Sequence, residues 1–167
     1  LRERMFQIAD MFREHIAGCG NCYVAGPAPF VGQRRSRAIH CHYELTQDDC
    51  TAGRQFGDQI ACFAFIDNSK YLVRDGGAYG IPFRALIPRG IDNLLIAGRM
   101  MTVDLVAHNS TRNTVCCLAC GQAAGTAAAM AAAQDITPTE LDTESLRQTL
   151  LKDGVLLKPR PDPLPGE

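Results

Sequence analysis

Apolar residues recur along this chain with two different spacings. Met5, Ile8, Ala9, Phe12 and Ile16 stand three or four apart with charged residues between them, which predicts a helix over residues 1–17, ended by Gly18 and Gly20. Residues 23–28 and 36–45 read as strands, set apart by Pro27, Pro29 and Gly32. Within the second, the alternation of Ile39, Cys41, Tyr43 and Leu45 turns one apolar face inward. Thr46 then opens a capped helix, because its hydroxyl can accept from the Asp49 amide while Asp48 and Asp49 suit the positive helix end. Residues 60–66 predict another strand. A polar, glycine-containing connection leads to residues 81–84, a strand whose Pro82 suits an edge or an irregular start.

The second half changes character. Residues 94–97 are a short apolar run ending at Gly98, which reads as a buried strand opening into a loop. Small residues dominate from 119 to 133, so a helix there could lie very close to a sheet, another helix or a flat ligand. A strand, a glycine turn and such a helix together place a helix N-terminus beside an anion or a carbonyl oxygen. Pro138 marks a turn, and Thr143 is expected to cap a last helix carrying Leu146, Leu150 and Leu151, with Thr143 and Arg147 adding weak surface contacts. From residue 158 the chain is proline-rich and polar, as an extended or disordered tail would be. No internal repeat is evident. The fold class is α/β in the broad sense, a mixture of helices and a mixed sheet.

Composition narrows the function classes. At 167 residues and 46% hydrophobic content the chain can bury a core. Seventeen basic against eighteen acidic residues give a net charge of −1 and no global attraction to nucleic acid or an anionic membrane. Gly121, Gln122, Gly125 and Thr126 interrupt the apolar helix, so no run is expected to reach membrane-spanning length, and no signal-peptide pattern stands near Arg2, Glu3 and Arg4. A cytoplasmic location is the working expectation. Of the eight cysteines, Cys19 with Cys22 and Cys117 with Cys120 form two C-x-x-C pairs that could supply four thiolates to zinc. The second pair falls in a helix of small residues, where Cys acts as a small hydrophobe, so no metal ligands are assigned. The closely spaced run ending in Cys-Pro that ligates iron–sulfur clusters is absent.

Three stretches carry a family resemblance. Residues 79–99 (Tyr-Gly-Ile-Pro-Phe-Arg-Ala-Leu-Ile-Pro-Arg-Gly-Ile-Asp-Asn-Leu-Leu-Ile-Ala-Gly-Arg) and Gly-Gln-Ala-Ala-Gly-Thr from Gly121, with Gly-Gln-Arg-Arg-Ser-Arg from Gly32 upstream, resemble the carboxyl-terminal part of the FAD-dependent oxidoreductases. Within that family the likeness is to flavoproteins grouped with the flavin subunit of heterodisulfide reductase, some of which carry iron–sulfur clusters of the 4Fe-4S kind. The likeness runs from about Phe6 to about Leu157. It departs from the family pattern at Val115, where proline is usual, at Arg35, where glutamate stands, and at Cys41, commonly glycine.

The resemblance implies part of an FAD/NAD(P)-binding, Rossmann-like flavoprotein. Residues 1–90 would be a helix and a mixed-sheet, substrate-side region, residues 91–157 the returning strand and Ala-rich helix of the FAD-binding domain with a final helix, and residues 158–167 a tail. The G-x-G-x-x-G turn of such enzymes does not occur, since Gly18-Cys19-Gly20 lacks the third glycine and follows a helix. The expected partner is therefore an amino-terminal dinucleotide-binding segment, without which FAD would be held weakly or not at all and catalysis would not be expected. Self-association could cover the apolar surface left by such a missing partner.

For cofactor contacts the resemblance points to Ala97, Gly98 and Arg99. Ser110 and Arg112 precede the Ala-rich helix, whose free N–H groups could face the flavin pyrimidine edge, and Ser110 could equally be an N-cap. Gly121 and Gly125 lie on one helix face as packing residues, with Gln122 as the polar contact. On the substrate side, Arg34 and Arg37 could hold a carboxylate or sulfonate, and His108 could relay a proton. Two rival readings are a thiol-based metal module and a noncatalytic interaction domain that kept the fold and lost the flavin.

Overall fold

The structure, a computed structural model, describes residues 2–67, 70–74 and 77–159. The tail expected from residue 158 lies outside the described residues beyond 159. The chain forms two compact units, Leu1–Gln33 and Arg34–Glu167.

In the first unit, α1 spans Arg2–His15. Gly18, with a φ of +84°, turns the chain after it in the left-handed region that glycine enters without penalty. Arg13 ties the following loop back, its Nε donating to the Cys22 carbonyl at 2.8 Å while its guanidinium meets Asp10 at 2.6 Å. The strand expected over residues 23–28 does not form. Alternation alone does not make a strand without a neighbour to take its hydrogen bonds.

The second unit is built on a two-stranded antiparallel sheet, β1 (Gln59–Phe63) with β2 (Tyr79–Pro82). Phe63 faces Tyr79, Cys62 faces Gly80, and an irregularity between Gln59 and Ala61 ends the regular pairing. A β-carbon at Gly80 would collide with the Gln59 side chain, so glycine here allows a close approach. Gln59 is itself fixed: its Oε1 accepts from the Phe56 amide at 2.8 Å, and its Nε2 donates to Gln55 and to the Leu157 carbonyl. The strand predicted at 81–84 is thus shifted to β2, and Phe83–Leu86 form a 3-10 turn after Pro82. Residues 36–45 make only two isolated bridges, Cys41 with Pro88 and Leu45 with Val103, instead of a strand.

Helices supply the remaining framework: α2 (Gln47–Thr51), α3 (Leu105–Thr111), α4 (Thr114–Gln134) and α5 (Thr143–Lys152). Thr46 caps α2 through a reciprocal box, accepting from the Asp49 amide at 3.2 Å while Asp49 accepts from the Thr46 amide at 3.1 Å. The cap of α5 is Asp142, which accepts from the Glu144 and Ser145 amides. Thr143 is instead the first helical residue, since a carboxylate one position earlier reaches both amides. Leu146 and Leu150 are buried, whereas Leu151 is exposed on the opposite side. Arg147 is also more than a surface residue, being 17% exposed and donating to the Gly57 carbonyl.

At 21 residues and without a charged side chain, α4 is long and apolar enough to cross a membrane by length and composition, contrary to the expectation from its interruptions. Small polar residues and glycines lower its hydropathy too little to matter. Its buried stripe, Cys116, Cys120, Ala123, Ala127 and Ala131, packs into the core beside β1 and α5. The helix begins at Thr114, just after Arg112, as the sequence led one to expect.

Asp49 concentrates the polar energetics of this unit. Its side chain is 4% exposed and also accepts from the Tyr43 hydroxyl at 2.9 Å and from Arg54 at 2.8 Å. Burial alone would raise its pKa, but the hydrogen bonds from Arg54, Thr46 and Tyr43 outweigh it and hold the carboxyl below 3.8. A depressed carboxyl pKa stabilises the fold above the unfolded value, and that stabilisation is lost as pH falls through the folded value. Asp49→Ala is expected to cost about 1–3 kcal/mol in urea denaturation at neutral pH, because the half-buried Tyr43 hydroxyl and Thr46 amide lose their acceptor. The difference from the unsubstituted chain should shrink as the pH is lowered below 3.8.

Candidate functional site

The turn that follows residues 94–97 is the natural starting point. No strand forms there: Ile96 is buried and donates to the Leu86 carbonyl at 2.9 Å, while Leu94 is 40% exposed and no described strand lies alongside. Ala97 is extended, and Gly98 opens the 3-10 turn Gly98–Met100 with a φ of +81°. A β-carbon at Gly98 would stand 3.7 Å from the Cys117 Sγ, an ordinary contact. Glycine is therefore required here by the backbone dihedral and not by space within this chain. The same distance puts the turn against the first helical turn of α4. Arg99 is exposed and lies near enough to Cys117 to favour its thiolate, although burial and Cys120 prevail and raise that thiol's pKa.

Asp104 organises what comes next. It accepts from the Val106 amide at 2.9 Å and the Ala107 amide at 2.8 Å, capping α3, and from the Gln47 amide at the start of α2. Sequence reasoning missed this residue, although an aspartate directly before Leu105 is an N-cap signal. Ser110 is not an N-cap. It lies near the end of α3, fully buried, with its hydroxyl 2.5 Å from the Tyr79 hydroxyl and bonded to the Phe65 carbonyl. It couples α3 to β2 and has no free side-chain access. Burial raises the Tyr79 pKa strongly, so that hydroxyl remains protonated.

Two residues after Arg112, α4 begins without a side-chain cap. Asn113 stands at the N-cap position, but its amide nitrogen donates backward to the Asn109 and Ser110 carbonyls at 3.0 and 2.8 Å. Thr114 and Val115 are exposed, and no side chain caps the first amides of α4. Arg112, 13% exposed, sits beside this helix start in an ion pair with Asp67. Farther along, Gly121, Gln122 and Gly125 are exposed, and nothing stands within 4 Å of a β-carbon at either glycine. Within the described residues, these glycines make no close packing.

The substrate-side candidates separate. His108 is 3% exposed, and its Nε2 lies 2.9 Å from the Arg34 backbone carbonyl. Since a carbonyl only accepts, Nε2 carries the proton, and the ring holds the Arg34 segment. Burial and the charges of Arg35, Arg112 and Arg99 lower its pKa below 6.5 despite the Arg34 bond. Arg34 and Arg37 are exposed, and no described contact brings their guanidinium groups together. Arg35, which carried no sequence assignment, anchors the segment by donating to the Val103 carbonyl at 3.0 Å. All eight cysteines are free thiols, and the described residues assemble no group of three or more His, Cys, Asp or Glu able to hold a metal ion. Cys116 and Cys120 are buried, the contact with Cys120 and burial raise the Cys116 pKa, and the Cys120 Sγ lies 4.0 Å from the Met101 sulfur.

Comparison with known proteins adds one match. A family model described as FAD dependent oxidoreductase covers residues 1–150. No curated protein and no solved structure matches the chain.

Two outcomes follow from the geometry. A histidine kept neutral in the fold makes the unfolded chain bind more protons, so stability should decline as pH falls below 6.5. In thermal denaturation from pH 8 to about 5, His108→Gln should show a flatter profile than the unsubstituted chain. Gly98→Ala should lower stability by about 1–2 kcal/mol through its left-handed backbone.

Proposed function

Because this chain belongs to the FAD-dependent oxidoreductase family, we propose that the Gly98 turn and the start of α4 form one wall of a flavin site in a redox enzyme acting on a small molecule. The observation that carries this reading is their juxtaposition: a left-handed glycine turn in contact with the uncapped first turn of a 21-residue helix. The donor chemistry fits the group. Unpaired amides at a positive helix end favour an electron-rich oxygen or a negative charge, and a glycine turn exposes backbone to a flat ligand. The bound flavin supplies the electron transfer.

The chain's own residues have distinct parts in this proposal. Ala97, Gly98 and Arg99 present backbone and positive charge along one edge. Thr114 and Val115 offer amide donors to the pyrimidine edge, with Arg112 adding charge beside them. Gly121 and Gln122, on the outward side of α4, face a dinucleotide-binding segment that supplies the phosphate grip. His108 is a positioning residue, fixing the Arg34 segment so that Arg34 and Arg37 can meet an anionic substrate. Within the family, the wording of residues 79–99 favours the group that includes the flavin subunit of heterodisulfide reductase.

Natively produced protein, checked by intact mass and visible absorption, should carry flavin. Arg112→Gln should weaken FAD retention about ten-fold, the equivalent of about 1.4 kcal/mol. A colourless protein that takes up no FAD with a dinucleotide-binding segment present would sink the proposal.

A further inference from the structure

A second site lies elsewhere in the Arg34–Glu167 unit. A cavity of about 560 Å³ has Arg74, Arg147 and Lys158 in its wall, with Gln55, Phe56 and Pro159 among the residues between them. No acidic side chain among the described residues lines it. Arg74 and Lys158 are exposed and have no ion pair among the described residues. Arg147 is held more firmly, donating to the Gly57 carbonyl and standing 3.6 Å from Glu144, whose side chain is 62% exposed. The Arg147 Nε is buried and has no acceptor among the described residues. Arg147 therefore contributes to the wall by its positive charge, alongside the exposed Arg74 and Lys158.

The shape of the wall is also fixed. Gln55 donates to the Gly53 and Ala78 carbonyls at 3.1 and 2.7 Å, joining the end of α2 to the approach of β2. Phe56 and Pro159, with Ala52 and Ala78, supply apolar surface. A bare inorganic ion would leave most of this volume unfilled, whereas it falls within the range of small-molecule sites, roughly 300–1,000 Å³.

We propose that this cavity binds a small organic anion, its acidic group paired with Arg74, Arg147 and Lys158 and its apolar body against Phe56 and Pro159. None of these residues belongs to the Gly98 turn or the start of α4, so the site stands apart from the flavin reading. Calorimetric titration with 2-naphthoate, its neutral analogue 2-naphthylmethanol and inorganic phosphate tests it directly. Naphthoate should saturate the protein, with the alcohol and phosphate each about ten-fold weaker or more, the equivalent of about 1.4 kcal/mol. Arg74→Gln and Lys158→Gln, both at exposed positions, should each weaken naphthoate about three-fold and reduce the salt dependence while leaving thermal stability unchanged. Equal affinity for naphthoate and the alcohol, phosphate binding as tight as naphthoate, no saturation by naphthoate, or indifference to both substitutions would overturn the proposal. Flavin content should be the same in both variants.

Discussion

The packing of one small-residue stripe governs the Arg34–Glu167 unit. Two strands cannot enclose a core by themselves, so β1 and β2 depend on a helix lying close against them. Cys116, Cys120, Ala123, Ala127 and Ala131 give α4 a buried face with little side-chain bulk, and the larger Leu146 and Leu150 of α5 fill the adjacent space. Both thiols on that stripe serve as apolar volume, and the contact with Cys120 together with burial raises the Cys116 pKa. Two buried or half-buried carboxylates then fix the shorter helices: Asp49 closes the capping box of α2, and Asp104 takes amides from both α2 and α3.

Helices were legible in the sequence because their evidence is local. Met5, Ile8 and Phe12 mark α1 by spacing, and Thr46 with Asp49 announces α2 by chemistry that needs no distant partner. Strands were not legible in the same way. Residues 36–45 alternate as well as any strand, yet their amides go to Met100, Ile87 and Thr102 in separate irregular contacts. An alternating pattern records which side chains are buried and leaves open which chain takes the backbone hydrogen bonds.

The candidate site divides along the same line. Gly98 stood out by its place after an apolar run, but its necessity lies in a dihedral that no sequence pattern displays. Ser110 and His108 carried polar groups that suggested chemistry, and folding buried both against carbonyls 45 and 74 residues away in the chain. Arg35, by contrast, escaped notice because its partner, the Val103 carbonyl, is brought in from a distance. Asp104 was overlooked despite a local N-cap signal, and it joins α2 only through the distant Gln47 amide. Family membership supplies the oxidoreductase class and FAD as the family's cofactor.

Gln59 gives this architecture an order in time. Its amide nitrogen reaches the carbonyl of Leu157, 98 residues later, and the neighbouring Cys62 amide donates to Leu156. Every backbone contact of that kind closes a long loop, and its entropy must be met before the contact forms. During synthesis β1 emerges well before Leu156 and Leu157 and cannot complete these bonds until the segment after α5 has left the ribosome. Until then its strand pair remains partly open, so the emergence of that segment, more than that of the strands, sets when this unit becomes safe from aggregation.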